Sequence, residues 1–462
     1  MRIPPEGDKP ALTRGLGLLQ ATALNMIDMV GVGPFITIPL ILVAMHGPQA
    51  MLGWIFGAIL ALADGMVWAE LGAAMPRAGG SYVYLREAYG SERWGRLMSF
   101  LFIWQVMLSG PLSMASGCIG FSQYLGYLWR DMTPLTGHLV AGGLAVILTA
   151  LLYRRITTIG KMSLVLWVGV MLTVAWIIFG GVTHFHKANV LTFPAQAFRL
   201  SFEFFAGLGA AMLIAMYDYL GYYNVCYLGG EVKNPERAIP RAILYSIAGI
   251  AVIYLLMQIS IISVVPWRDA EKSTFIVSSF MEQIYGAGAA RIVTGLILWT
   301  AFASLFSLLL GYSRIPYAAA IDGGFFRAFG RLHAREHFPH ISLLAMGGVT
   351  TLLSLLLPLE TVISGLIMLR IPVQFIGQIF AVLLLRQRWP ESRRPFKMWF
   401  YPAPLIVAFC GWTYVFVSKG WRLVFFSFAV SALGAIVFLL RARILGQWPF
   451  RARRGGLGEP AV

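Results

Sequence analysis

Apolar runs of about 20 residues, the length a helix needs to cross roughly 30 Å of hydrocarbon, recur from one end of the chain to the other. Nothing else in the sequence restricts its folding as strongly. Lipid offers backbone N–H and C=O groups no hydrogen bonds and has no place for an open sheet, so these segments are read as helices whose backbones bond to themselves. Charge content points the same way. Only 12% of the 462 residues are charged and 58% belong to the apolar set AVILMFWYC, against about 25% and about 45–50% in soluble proteins. So few charges cannot coat the two or three cores that a soluble chain of this length needs, which counts against a soluble enzyme.

Reading the apolar runs between Pro, Gly and charge clusters places twelve spans near 17–44, 49–75, 94–128, 135–153, 157–181, 200–229, 239–265, 287–320, 340–357, 361–385, 401–418 and 421–441. The run at 157–181 starts on polar residues, and the last two runs are separated only by Lys419 and Gly420. The N-terminus carries Pro4, Pro5, Glu6, Asp8 and Pro10 and shows no cleavable-signal pattern, so the first apolar helix is expected to act as the insertion signal. Cys118, Cys226 and Cys410 are far apart within apolar runs, with no CxxC spacing, so neither a disulfide framework nor a metal site is encoded.

The formal charge of +16 suggests nucleic acid in a soluble protein, but here the basic residues sit between apolar runs. With both ends in the cytoplasm, 27 of the 36 Lys and Arg fall on cytoplasmic segments, 8 on outer ones, and Arg370 lies inside a span. That asymmetry agrees with an even number of spans and with both termini inside. An inner or plasma membrane location is expected, with lipid as the surroundings and no nucleic-acid partner.

Two spans carry residues that interrupt helices. The first contains Asp28-Met29-Val30-Gly31-Val32-Gly33-Pro34, placing two glycines, a proline and a carboxylate at its middle. Gly costs about 1 kcal/mol and Pro about 3 kcal/mol in a helix interior, so an unwound stretch is expected there, although small residues also serve helix packing. The sixth repeats the pattern with Tyr217-Asp218-Tyr219-Leu220-Gly221-Tyr222-Tyr223. The second break lies five spans after the first, and an odd offset implies inversion. The chain therefore reads as a short N-terminus (1–16), a first five-helix repeat (17–181), a second inverted one (200–385), two accessory helices (401–441) and a basic tail (442–462). Paired interruptions in inverted repeats point to a substrate site near the bilayer midplane. Free N–H groups at the half-helix after Gly33 suit an anion, and carbonyls near Ile27 to Val30 and Met216 to Tyr219 suit an ammonium.

These residues resemble the amino acid-polyamine-organocation (APC) superfamily of permeases. Gly31-Val32-Gly33-Pro34-Phe35 is similar to its break in helix 1, and Ala69-Glu70-Leu71-Gly72-Ala73-Ala74-Met75-Pro76-Arg77 to the end of its helix 2. Gly230-Glu231-Val232-Lys233-Asn234-Pro235 is similar to its loop after helix 6, and Ser313-Arg314 with Asp322-Gly323-Gly324 to the end of helix 8. The resemblance covers about residues 15 to 340 and implies an all-α LeuT-type fold of 5+5 inverted repeats with discontinuous helices 1 and 6. It also implies a substrate carboxylate on the Gly31, Val32 and Gly33 amides, an amine on carbonyls near Met29 and Tyr217, and Tyr217 as a gate. Gly221 matches the glycine of the helix 6 break.

Departures carry information too. Val32 stands where the family has a hydroxyl, Leu220 where several members have an acid or glycine, and no lysine occupies the middle of helix 5. Lys161 is the nearest, either a coupling residue or a topogenic loop lysine. Asp28 and Asp218 are read as substrate-amine or proton-binding groups, with structural pairing as the alternative, because carboxylates at mid-bilayer are costly. Tyr219 and Trp104 are the further aromatics expected at the site. Asp64 is expected to be a helix contact, and Arg370 an anion contact, a gating partner, a residue snorkelling to the surface or a structural partner. No nucleotide loop or nucleophile triad appears.

The expectation is therefore a secondary transporter for amino acids or related small amines, not an enzyme. A proton gradient is the expected driving force, sodium the other candidate ion, and no cofactor and no obligatory glycoprotein partner are expected. A polyamine carrier and a ligand sensor of transporter form are the alternatives. In a chain whose own cysteines are replaced, a cysteine at Lys272 should react with a membrane-impermeant maleimide in intact cells and one at Lys233 only after permeabilisation. The reverse pattern overturns the orientation.

Overall fold

The structure, a computed structural model, describes residues 14–77, 79–153, 159–334, 338–389 and 394–450. The Lys161 side chain and most of the basic tail lie outside the described residues.

The chain is helical almost throughout. In order come α1 (Leu18–Met29), α2 (Gly33–Met45), α3 (Met51–Ala74), α4 (Ser81–Ala88), α5 (Trp94–Leu128), α6 (Pro134–Leu152), α7 (Ile159–Thr183), α8 (Lys187–Leu191) and α9 (Phe202–Tyr219). There follow α10 (Asn224–Tyr227), α11 (Pro235–Val264), α12 (Trp267–Ala270), α13 (Ile276–Ile321), α14 (His340–Leu356), α15 (Leu359–Arg370), α16 (Gly377–Arg388), α17 (Ala403–Ser418) and α18 (Trp421–Ile444). Among the described residues the only β pairing is an isolated bridge between Leu16 and Val232, which ties the segment before α1 to the loop after α10.

Seven of the described helical stretches are long and apolar enough to cross a membrane, and α1 with α2, bent by 49°, passes the same test as one broken span. The protein is therefore a multi-pass integral membrane protein. The shorter apolar helices are α14, α17 and the described part of α7, Trp167–Thr183. α18 is the most lipid-exposed of the long ones, with 17% of its apolar window buried.

Both expected interruptions exist, and their details differ from the sequence reading. α1 stops at Met29, and Pro34 stands in the first turn of α2. An N–H there has no intrahelical acceptor, so proline starts the second half-helix and does not disrupt a continuous one. The sixth run breaks after Tyr219, where Leu220 is extended and Gly221 has φ 121°, a backbone open to glycine. α13 is two helical segments meeting at Gly286, whose φ of 81° and ψ of 175° are not helical, and the second segment covers the eighth run expected at 287–320. Gly420, φ 85°, separates α17 from α18. α15 passes into α16 through a π-helical turn, Ile371–Ile376, directly after Arg370.

α3 packs along α11, α9 and α17, while α5 packs against α13, α14 and α15. The half-helices α1 and α2 rest on α11 and α9 respectively. At the end of α3, Glu70 is 2% exposed and accepts two hydrogen bonds from Arg386 of α16, at 2.7 and 2.6 Å, and one from the Met398 amide at 2.9 Å. Arg386 also lies over the Tyr401 ring at 3.8 Å. This cluster fastens α3 to α16 and to the segment leading into α17.

Removing one partner of a buried ion pair leaves an uncompensated charge, which costs about 3–5 kcal/mol. Glu70→Ala should lower the thermal unfolding midpoint in detergent accordingly. Asp322→Ala, which loses a half-exposed partner 3.7 Å from Arg86, should cost less than about 1 kcal/mol. Equal losses from the two changes contradict this ranking.

Candidate functional site

The two breaks meet. A methyl group on Gly221 would lie 3.0 Å from the Asp28 carbonyl carbon, from Asp28 Cβ and from the Met29 amide, so only a glycine admits this approach. Asn25, fully buried in α1, spans the contact: its side-chain amide donates to the Tyr222 carbonyl at 2.6 Å and its carbonyl accepts from the Val225 amide at 3.0 Å. On the other side the Tyr254 hydroxyl of α11 lies 2.6 Å from the Met29 carbonyl and 3.2 Å from the Asp218 carbonyl. The backbone groups freed by unwinding are thus largely taken up by neighbouring helices, as burial at membrane depth requires.

Where the breaks meet, a cavity opens. Its lining includes Asp28, Met29, Gly31, Val32 and Gly33 from the first break, and Tyr217, Asp218, Leu220, Gly221 and Asn224 from the second. The far walls come from α5 (Ser113, Gly117), α13 (Ser304, Leu305, Leu308, Tyr312) and α15 (Leu366, Arg370). Among the described residues the amides of Gly31, Val32 and Gly33 donate to no backbone carbonyl, so the start of α2 offers unbonded donors to the cavity.

The acids are held differently. Asp218 accepts from Thr37 Oγ1 at 2.5 Å through Oδ2, while its buried Oδ1 has no partner among the described residues. That Oδ1 sits against Gly33, so closely that a side chain there would run into it. Asp28 likewise has its Oδ1 buried without a partner among the described residues. Tyr217 donates to Ser116 Oγ of α5 at 2.9 Å, which fixes its ring beside Gly33.

Eight of the expected site residues therefore lie around one cavity: Asp28, Met29, Gly31, Val32, Gly33, Tyr217, Asp218 and Gly221. Two do not. Trp104 is on α5, roughly 14 Å further along the helix axis than Ser113, and its indole donates to the Val430 carbonyl of α18 at 3.0 Å. Tyr219 follows Asp218 and so points about 100° away around the helix. It packs on Trp54 and Tyr254, and its hydroxyl donates to the Trp54 carbonyl at 3.3 Å. The expected carbonyl acceptors also change. Those of Met29 and Asp218 already face Tyr254, and that of Met216 accepts the Leu220 amide. The carbonyls of Ile27, Val30, Tyr217 and Tyr219 accept none of the bonds found at the breaks among the described residues, so they remain acceptors beside the Asp28 and Asp218 carboxylate oxygens.

Asp64 is a helix contact, accepting from Tyr222 at 2.5 Å and from Trp412 at 3.1 Å. Arg370 is fully enclosed at 2% exposure, which excludes snorkelling to the surface. Sequence reading missed Ser113, Ser304, Tyr312 and Asn224. Each is an ordinary residue within its run, and helix packing alone brings it to the cavity.

The amino acid permease family profile matches residues 16–441. The human cationic amino acid transporter 4 is 27% identical over 83% of this chain, and the chain spans 61% of that protein's length. The Bacillus subtilis serine/threonine exchanger SteT is 27% identical, covering 88% of this chain and 91% of its own. The human cystine/glutamate transporter is 24% identical, over 86% and 78%.

Asn25→Ala leaves the Tyr222 carbonyl and the Val225 amide buried without their partner, at about 1–3 kcal/mol for each group. Its unfolding midpoint in detergent should fall well below that of Thr22→Ala, which removes one bond within α1 to the Leu18 carbonyl. Matching midpoints would take away the bracing role of Asn25.

Proposed function

The chain belongs to the amino acid permease family, and from that premise we propose that it is a secondary transporter moving an amino acid across the membrane by alternating access. The observation that carries this is the cavity at the junction of the two helix breaks, where unbonded amides and carboxylate oxygens share one corner. An α-amino acid presents an ammonium and a carboxylate on adjacent atoms. Asp218 Oδ1 beside Gly33 supplies the acceptor for the first, and the Gly31 to Gly33 amides supply donors for the second.

In this reading the chain crosses the bilayer twelve times, as two inverted five-helix repeats followed by α17 and α18, with both ends in the cytoplasm. The repeats rock about the fixed site. Tyr217, anchored on α5, closes over the substrate. Coupling runs through Asp28 and Asp218 by proton transfer or by exchange, with Lys161 and sodium as the alternatives. No cofactor and no glycoprotein subunit enter the proposal, and Cys118 is buried within α5.

The related proteins are named for cationic, hydroxylated, disulfide-bearing and acidic amino acids, so the family leaves the side chain undecided. A polyamine carrier is the second reading, favoured by two carboxylates in one cavity. Arg370 in the same lining repels a polycation and weighs against it.

The test is uptake of proteinogenic amino acids and of spermidine into proteoliposomes, with and without an inward proton gradient. Uptake of at least one amino acid, raised by the gradient, is expected. Loss of a charge-assisted bond amounts to about 1.5–3 kcal/mol, or roughly 10–100-fold, so Asp218→Asn should reduce that uptake by such a factor. Spermidine uptake alone would replace the first reading by the second.

A further inference from the structure

Arg370 ends α15 and has its guanidinium enclosed by protein and cavity. Its Nε donates to Ser109 Oγ at 3.3 Å, and its two terminal nitrogens donate to the Tyr223 hydroxyl at 2.6 Å and the Tyr312 hydroxyl at 3.0 Å. The Tyr312 ring centroid lies 5.7 Å from the guanidinium carbon. These partners are neutral. Among the described residues no carboxylate lies within 4.0 Å of Arg370, the limit for an ion pair. A guanidinium makes five donor bonds in a planar fork, so the three hydroxyls leave one N–H on each terminal nitrogen for something in the cavity.

A buried cation without a counter-charge is costly, more so at membrane depth. The hydroxyls orient it and do not neutralise it. The two acids of the cavity stand on the break wall, with Asp218 tied to Thr37 of α2, and among the described residues neither is within ion-pair range of Arg370. The α-ammonium and α-carboxylate of an amino acid share one carbon, so on the amino acid reading both sit together at the corner of Asp218 and Gly33. What reaches the α15 wall is the group that the α-carbon carries.

From this arrangement, and resting on the amino acid reading of the cavity, we infer that Arg370 is a specificity-determining residue that pairs with a carboxylate on the substrate's side chain. The cavity then selects acidic amino acids. A side-chain carboxylate accepts from both free N–H groups as a charge-assisted pair, while the isosteric carboxamide brings no charge and places a donor group against the cation. Arg370 also ties α15 to Tyr223 of the second break.

The full chain purified in detergent is titrated with L-glutamate, L-glutamine and L-alanine, with thermal unfolding midpoint and calorimetric affinity as readouts. L-glutamate should bind the unaltered protein about tenfold or more tightly than L-glutamine, consistent with a charge-assisted bond. Arg370→Gln should abolish that preference, weakening L-glutamate by at least tenfold more than it weakens L-alanine, whereas Arg370→Lys should retain part of it. Two outcomes overturn the inference while leaving the amino acid reading intact: equal binding of L-glutamate and L-glutamine by the unaltered protein, or Arg370→Gln weakening L-alanine as much as L-glutamate. The first comparison needs no variant and stands even if Arg370→Gln fails to fold. Failure of every amino acid to bind the unaltered protein overturns the underlying reading itself.

Discussion

The architecture depends on one close contact, that of Gly221 with the backbone of Asp28 and Met29. Two helices are interrupted at membrane depth, where every freed N–H and C=O must find a partner or line a polar cavity. Pressing the interruptions together solves both problems. The side chains of Asn25 and Tyr254 take up the backbone groups on the outside of the junction, and the remaining donors at Gly31 to Gly33 turn inward. Any residue other than glycine at 221 separates the two breaks, because of both its φ of 121° and the 3.0 Å approach. The cavity is what remains when two unwound segments cannot pack solidly against each other.

The charges around that cavity are distributed by wall. Carboxylates stand on the breaks, and the single enclosed guanidinium of the lining stands opposite, among hydroxyls of α5, α13 and the second break. Separation beyond ion-pair distance keeps these groups from neutralising one another, so their charge remains available to a ligand. Around this, Glu70 and Arg386 hold α3 to α16 with a buried pair, and Leu16 bridges to Val232 in the loop that follows α10. Both half-helices on that side, α1 and α10, are thus fastened to each other and to the same loop. A rigid unit of this kind suits a motion in which one bundle rocks against another.

Much of the helix layout was legible because membrane spans must be apolar and about 20 residues long, and because Gly, Pro and Asp in such a run have few other uses. The positions of both breaks followed from those residues. What could not be read were consequences of packing. Pro34 opens the half-helix expected after Gly33, but the helices on which that half-helix rests are set by packing. Tyr219 and Trp104 were expected at the cavity because aromatic residues near a break are reasonable candidates, but a helix turns about 100° per residue and rises about 1.5 Å. One residue past Asp218, and nine before Ser113, are enough to place a side chain on another face or at another depth.

The sequence by itself determined that this is a helical membrane protein, where its helices are interrupted, and that acids accompany both interruptions, because these properties follow from local composition and from the cost of polar groups in lipid. Only the tertiary structure decided which walls meet. Ser113 of α5, Tyr312 of α13 and Arg370 of α15 are separated by tens to hundreds of residues, and no local pattern brings them to one cavity. Their convergence is set by how α5, α13 and α15 pack on one another, and side-chain interlocking between distant segments is not written in the periodicity of any one of them.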